Sequence, residues 1–128
     1  MNHPMEHRTS PRYRVYLQVE VNGLELTATN IGIELTANNI SAYGMQISCP
    51  AFLIGRIQKL MDQGQFDVAI RLPVEGTPAR VSAQAMYDSE VGEEHLIGLQ
   101  LTDLKESEKN KLDAYLQELA DKNAPVVN

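Results

Sequence analysis

The chain has no tryptophan, two phenylalanines, a single cysteine and fewer basic residues (11) than acidic ones (17). Each scarcity removes a class of function. One thiol, Cys49, forms no internal disulfide, which points to a reducing compartment, and its place in a strand-like run suits a buried, inert side chain. The net charge of −6 opposes broad binding to DNA or RNA, and so few aromatic residues leave little on which single-stranded bases could stack. No segment approaches the run of about 18 apolar residues that spans a membrane, and Met1-Asn2-His3-Pro4-Met5-Glu6 lacks the apolar core of a signal peptide. The expectation is a cytoplasmic protein with no membrane partner. His3, His7 and His95 have no Cys or carboxylate at ligand spacing, so neither a metal site nor a cofactor is expected. Ser41 has no histidine near it in sequence, and Glu93 and Glu94 read as a solvated turn; no residue is expected to be catalytic.

What the chain does have is one domain's worth of ordinary globular sequence, 128 residues of which 43% are hydrophobic. Its charge is uneven. Residues 1–14 hold Arg8, Arg12 and Arg14 against Glu6, a net +2, while the remainder carries −8. Pro11 keeps Ser10 out of the helical region, so His7 to Arg14 reads as an extended or turning arm. A cationic arm on an acidic body suits a small anion held locally, since guanidinium groups bond phosphate oxygens and guanine edges in pairs; a solvated tail is the plainer alternative.

Alternating apolar positions mark the strands. Val15, Leu17, Val19 and Val21 form the first run, Asn22-Gly23 reads as a hairpin turn with Leu24 to Thr27 returning, and Asn30-Ile31-Gly32 reads as a second break. Ile33 to Ala37, Met45 to Ser48, Phe66 to Ile70, Ala79 to Tyr87 and His95 to Leu101 follow, with Asp88 to Glu94 as an acidic turn. A short helix is expected over residues 52–62 and a clearer one after Asp103, which with Glu106 fits a capping box; Leu112, Tyr115, Leu116 and Leu119 make its apolar stripe. Pro125 lies beyond, in a tail expected to fray. Between two of the strands stands Asn39-Ile40-Ser41-Ala42-Tyr43-Gly44. Strand parity puts Asn39 and Ser41 on one face with Ile40 on the other, and Gly44 permits either a positive φ or the close approach of another molecule; a serine turn with a glycine exit is the plain alternative.

Arg8 and Arg12, with three residues between them and just before the first strand, followed 27 positions after Arg12 by Asn39-x-Ser41-xx-Gly44, resemble the PilZ domain family, whose signature is RxxxR with a second [D/N]xSxxG motif. The resemblance extends over residues 7 to 120. It implies a mainly β fold, a six- or seven-stranded antiparallel β-barrel (residues 13–120) with a C-terminal helix, preceded by a flexible basic arm (1–12) and followed by a tail (121–128). It also implies a bacterial receptor for cyclic di-GMP, active in the control of motility, biofilm or virulence. By position, Arg8 and Arg12 would hold the guanine bases and phosphates, Asn39 and Ser41 would bond a guanine edge or phosphate, and Gly44 would leave room for the ligand. Asn39 stands where Asp is commoner, a neutral acceptor for a charged one. His7 and Arg14 are auxiliary contacts at most, and either Met86 or Tyr87, one by parity, lines the pocket. The signal would pass to an unidentified downstream protein or to a second copy in a homodimer. The alternative is a PilZ-like interaction adaptor that binds no nucleotide.

Overall fold

The computed structural model describes residues 10–26, 31–73 and 77–127. Six antiparallel strands, β1 (Tyr13–Leu26), β2 (Ile31–Ile40), β3 (Gly44–Pro50), β4 (Gln65–Ile70), β5 (Ala79–Val91) and β6 (Glu94–Thr102), close into one barrel-like ring in the order β1-β2-β3-β6-β5-β4. The β1–β4 pairing that completes it is short: Val19 faces Ile70, Glu20 faces Ala69 and Val21 faces Val68. A turn of 3-10 helix (Ala51–Leu53) leads into α1 (Ile54–Asp62), and α2 (Glu106–Asp121) follows β6. Among the described residues no helix is long and apolar enough to cross a membrane.

The alternation predicted from sequence fills the ring. Leu17, Val19, Val21, Val68, Ile70, Ile97, Leu99 and Leu101 are all buried in one core, and Ile57 and Leu60 of α1 close over part of it. Leu112 and Tyr115 are the buried residues of α2, flanked by half-buried Leu116 and Leu119, so the helix covers the sheet as its stripe required. Cys49 is fully buried within β3. Loss of water pushes its thiol from the ordinary 9.0 to about 11, with the Asp88 and Glu94 carboxylates adding to the rise.

Several boundaries differ from the sequence reading, each because a sheet neighbour overrides a local preference. Asn22-Gly23 is not a hairpin turn: β1 runs through it, and the register jumps between Val21 opposite Ile33 and Glu25 opposite Gly32. The extra residues are a bulge, a feature that an Asn-Gly pair can also supply. Ile31 and Gly32 belong to β2 rather than to a break, while Asn30 and Thr27 lie outside the described residues. The strands counted as seven at most are therefore six. Asp88 to Val91 continue β5, and the acidic turn shrinks to Gly92-Glu93, where Gly92 takes φ +64°. The capping box does not form: Asp103 sits at φ +49°, Lys105 is the N-cap, and no side chain caps the helix. Its first turn is held instead from the sheet, by the Arg80 N–H donating to Glu108 Oε1 at 2.8 Å. This bond is the main reason that the Glu108 carboxyl titrates below its ordinary 4.5.

Gly44 has an ordinary φ, and its requirement is steric. It pairs with Gln100 across β3 and β6, and a Cβ there would overlap the carbonyl oxygen of Leu99. Backbone, unlike a side-chain tip, cannot step aside. Gly44→Ala is expected to cost about 1–3 kcal/mol and to lower the thermal midpoint, read by circular dichroism. For Cys49, the thiolate at pH 8 is about a hundredfold scarcer in the folded than in the unfolded chain; a disulfide reagent will label it slowly until urea is added. Because the unfolded thiol loses its proton first, stability will fall as pH rises from 9.0 towards about 11.

Candidate functional site

The polar step between β2 and β3 is built by one hydroxyl. Ser41 N–H donates to the Gly44 carbonyl at 2.8 Å, while Ser41 Oγ accepts from the N–H groups of Tyr43 and Gly44, both at 3.2 Å. The plain reading, a serine turn with a glycine exit, is thus present, and Ser41 is 5% exposed. A Cβ on Gly44 would meet the Leu99 carbonyl oxygen. Tyr43, at the turn's outer corner, is exposed, and its carbonyl accepts from the Leu101 N–H at 2.8 Å.

Asn39 departs from simple parity. The register shifts between Ala37 opposite Ile47 and Asn39 opposite Gln46, leaving Asn38 as a bulge. Ile40 consequently drops into the core with no exposure, and Asn39 takes the outer face. Ile40 thus points away from Asn39, and Ser41 follows in the turn. Asn39 is nevertheless 5% exposed. Its Nδ2 donates to Asn38 Oδ1 at 3.1 Å and to Gln46 Oε1 at 3.4 Å, whereas its Oδ1 is buried with no hydrogen-bond partner among the described residues. An orphaned acceptor of this kind costs about 1–3 kcal/mol unless something donates to it. The arrangement also gives a local reason for Asn at this position: an aspartate would set another acceptor against the oxygens of Asn38 and Gln46.

From Asn39 a row of cross-strand partners runs over the outside of five strands, Arg14 to Asn39 to Gln46 to Gly98 to Tyr87. Gln46 Nε2 donates to Tyr87 Oη at 2.8 Å. The Tyr87 ring lies over Gly98 where a Cβ would overlap it, so the glycine is what lets the ring rest flat on β6. A second shift, between Ala85 opposite Leu99 and Tyr87 opposite Gly98, makes Met86 a bulge. Both Met86 and Tyr87 therefore turn to the same depression, against the expectation that parity admits one of them.

That depression is a cleft of about 290 Å³. Ser10 and Arg12 come from the segment before β1, Ser41 and Tyr43 from the turn, Gly44 and Met45 from the start of β3, Met86 and Tyr87 from β5, and Gly98, Leu99 and Gln100 from β6. Arg12 and Ser41, far apart in sequence, meet here; Asn39 lies outside the lining and reaches it through Gln46 and Tyr87. Among the described residues Arg12 is the cleft's one charged lining residue, so the local potential favours an anion. Arg14 is exposed opposite Asn39. Arg8 and His7 lie outside the described residues. A wider cleft of about 970 Å³ beside the start of α2 sets Arg80, Lys105 and Lys111 against Asp67, Asp103 and Glu108; its charges cancel, and Glu108 already accepts from Lys111 at 3.4 Å. Among the described residues no group of three or more His, Cys, Asp or Glu could hold a metal ion.

Residues 6–118 match the family model of the PilZ domain. The chain belongs to the PilZ domain family. Solved structures agree on the fold. The inhibitor of motility MotI/DgrA of Bacillus subtilis superposes with a TM-score of 0.64 at 18% identity, over 91% of this PilZ chain and 51% of its own. The PilZ domain of YcgR from Escherichia coli, solved with c-di-GMP, superposes with a TM-score of 0.56 at 14% identity, over 89% of this chain and 95% of its own. The chain thus spans about half the length of the Bacillus protein. No curated protein matches it significantly by sequence.

Gly98 and Tyr87 were not singled out together from sequence; a glycine inside a strand run is the signal that was there. If the ring rests on Gly98, its α-protons will resonate upfield of ordinary strand glycines. Tyr87→Ala will remove that displacement, and Tyr87→Phe will keep it while losing the Gln46 bond at a stability cost under about 1 kcal/mol.

Proposed function

We propose that this protein is a non-catalytic cytoplasmic receptor for cyclic di-GMP. The observation that carries the reading is that Arg12 and the Ser41-to-Gly44 turn line one cleft with no acidic lining residue among the described residues. The family supports it, as does the ligand in the Escherichia coli structure of the same fold. Arg12 would pair with a phosphate or a guanine edge through charge-assisted bonds, and the exposed face of Tyr87 offers a base a surface for stacking. Asn39 Oδ1, unpartnered and at the end of the Gln46–Tyr87 link, would accept from a guanine N–H or from an arginine of the arm.

At about 290 Å³ the cleft lies at the small end of ligand pockets, so a cyclic dinucleotide must be covered from elsewhere. The arm supplies that cover: Arg8, with His7 and Arg14 in support, closes over the ligand, and the ordered arm changes the surface shown to a downstream protein or to a second copy in a homodimer. Gly44 acts indirectly, by holding the turn against β6.

The test is calorimetric titration with cyclic di-GMP, with GTP as the control. Binding at micromolar concentration or tighter is expected, weakened at least tenfold in Arg12→Ala, which removes charged hydrogen bonds worth about 1.5–3 kcal/mol. Arg12 is exposed, so the variant will keep the wild-type thermal midpoint. A folded protein that gives no heat would leave the nucleotide-free adaptor as the better reading.

A further inference from the structure

The segment after α2 is not a loose tail, as its composition suggested. Asn123, at φ +55°, ends the helix, and the Ala124 N–H closes back on the Leu119 carbonyl at 2.9 Å. The chain then runs antiparallel beside the start of β1. Arg14 N–H donates to the Pro125 carbonyl at 2.9 Å, Val127 N–H donates to the Arg12 carbonyl at 2.7 Å, and Tyr13 and Val126 form a β-bridge. The place is open for it. β4 pairs with β1 at Val19 to Val21, leaving the same strand's first residues to find another partner. Tyr13 meets Ile40 of β2 on its other side and is 7% exposed. A cleft of about 350 Å³ lies between Ser10 and Pro11 and the α2 residues Leu116 and Ala120; the Arg12 carbonyl is held by the tail, while Tyr13 and Arg14 also pair with β2.

We propose that residues 125–127 are a positioning segment for the ligand: they fix the backbone of Arg12 while its side chain lines the cleft. The proposal rests on the receptor reading above. A preformed Arg12 saves the ligand part of the cost of ordering it. Linkage then runs both ways, and a ligand gripped by Arg12 tightens the tail and the end of α2. The C-terminal edge of the molecule, on the far side of β1 from the turn, would report occupancy of the cleft.

Val127→Pro removes the N–H that Arg12 accepts and keeps the extended backbone at Val126; Val127→Ala keeps the N–H. Calorimetry with cyclic di-GMP is expected to show affinity roughly three- to tenfold weaker for Val127→Pro, the weight of one backbone hydrogen bond, and rescued in Val127→Ala. Amide exchange on the wild-type chain supplies a second measurement that needs no variant: saturating ligand will slow exchange at Arg14 and Val127 several-fold. Equal affinity of Val127→Pro and wild type, or exchange at those amides that stays level or speeds up with ligand, would overturn the proposal. Absence of binding by the wild type is a different result and removes the receptor reading itself.

Discussion

The contact between Gly44 and the Leu99 carbonyl sets the geometry of everything above it. Two strands cannot approach this closely with a side chain between them, and the approach brings the β2–β3 turn down against β6. The Ser41 hydroxyl then locks the turn by accepting from the backbone N–H groups of Tyr43 and Gly44. Because the turn is tight and low, Tyr43 projects at its corner and Arg12 can reach its flank. The site is a consequence of backbone packing before it is a collection of functional side chains.

Bulges do the next part. A regular strand presents alternate residues to one face, and four irregularities among the described residues change that count around the ring: one at Val15 and Tyr16, one at Asn22 to Leu24, one at Asn38 and one at Met86. The shift at Asn38 sends Ile40 inward and Asn39 outward although Ala37 is already inward, and the shift at Met86 turns two successive β5 residues towards one cleft. Together they align Arg14, Asn39, Gln46, Gly98 and Tyr87 across five strands. The buried Asn39 amide, satisfied at its nitrogen and orphaned at its oxygen, is the strained member of that row.

Polar anchoring also runs through backbone groups more than through side-chain caps. α2 begins without the capping box its sequence suggests and is tied instead to β5 through Arg80 and Glu108. Its far end returns to β1 through Pro125 and Val127. The helix thus connects the sheet at β5 with the segment that carries Arg12, and a change at either end has a packed element through which to act.

The sequence by itself determined the composition of the core, the runs that became strands, the apolar stripe of α2 and the two motifs that led to the PilZ family. These depend on periodicity and residue type, which are local. It could not determine that Asn22-Gly23 would be a bulge, since the same pair serves a hairpin turn and only the pairing with Ile33 and Gly32 selects between them. Nor could it show that Met86 and Tyr87 share a cleft, that Gly98 exists for the Tyr87 ring, or that residues 125–127 pair with β1. Each of these is a register or a contact between segments far apart in the chain, decided by which neighbour leaves an edge unpaired or a surface open, and tertiary structure alone supplies the neighbour.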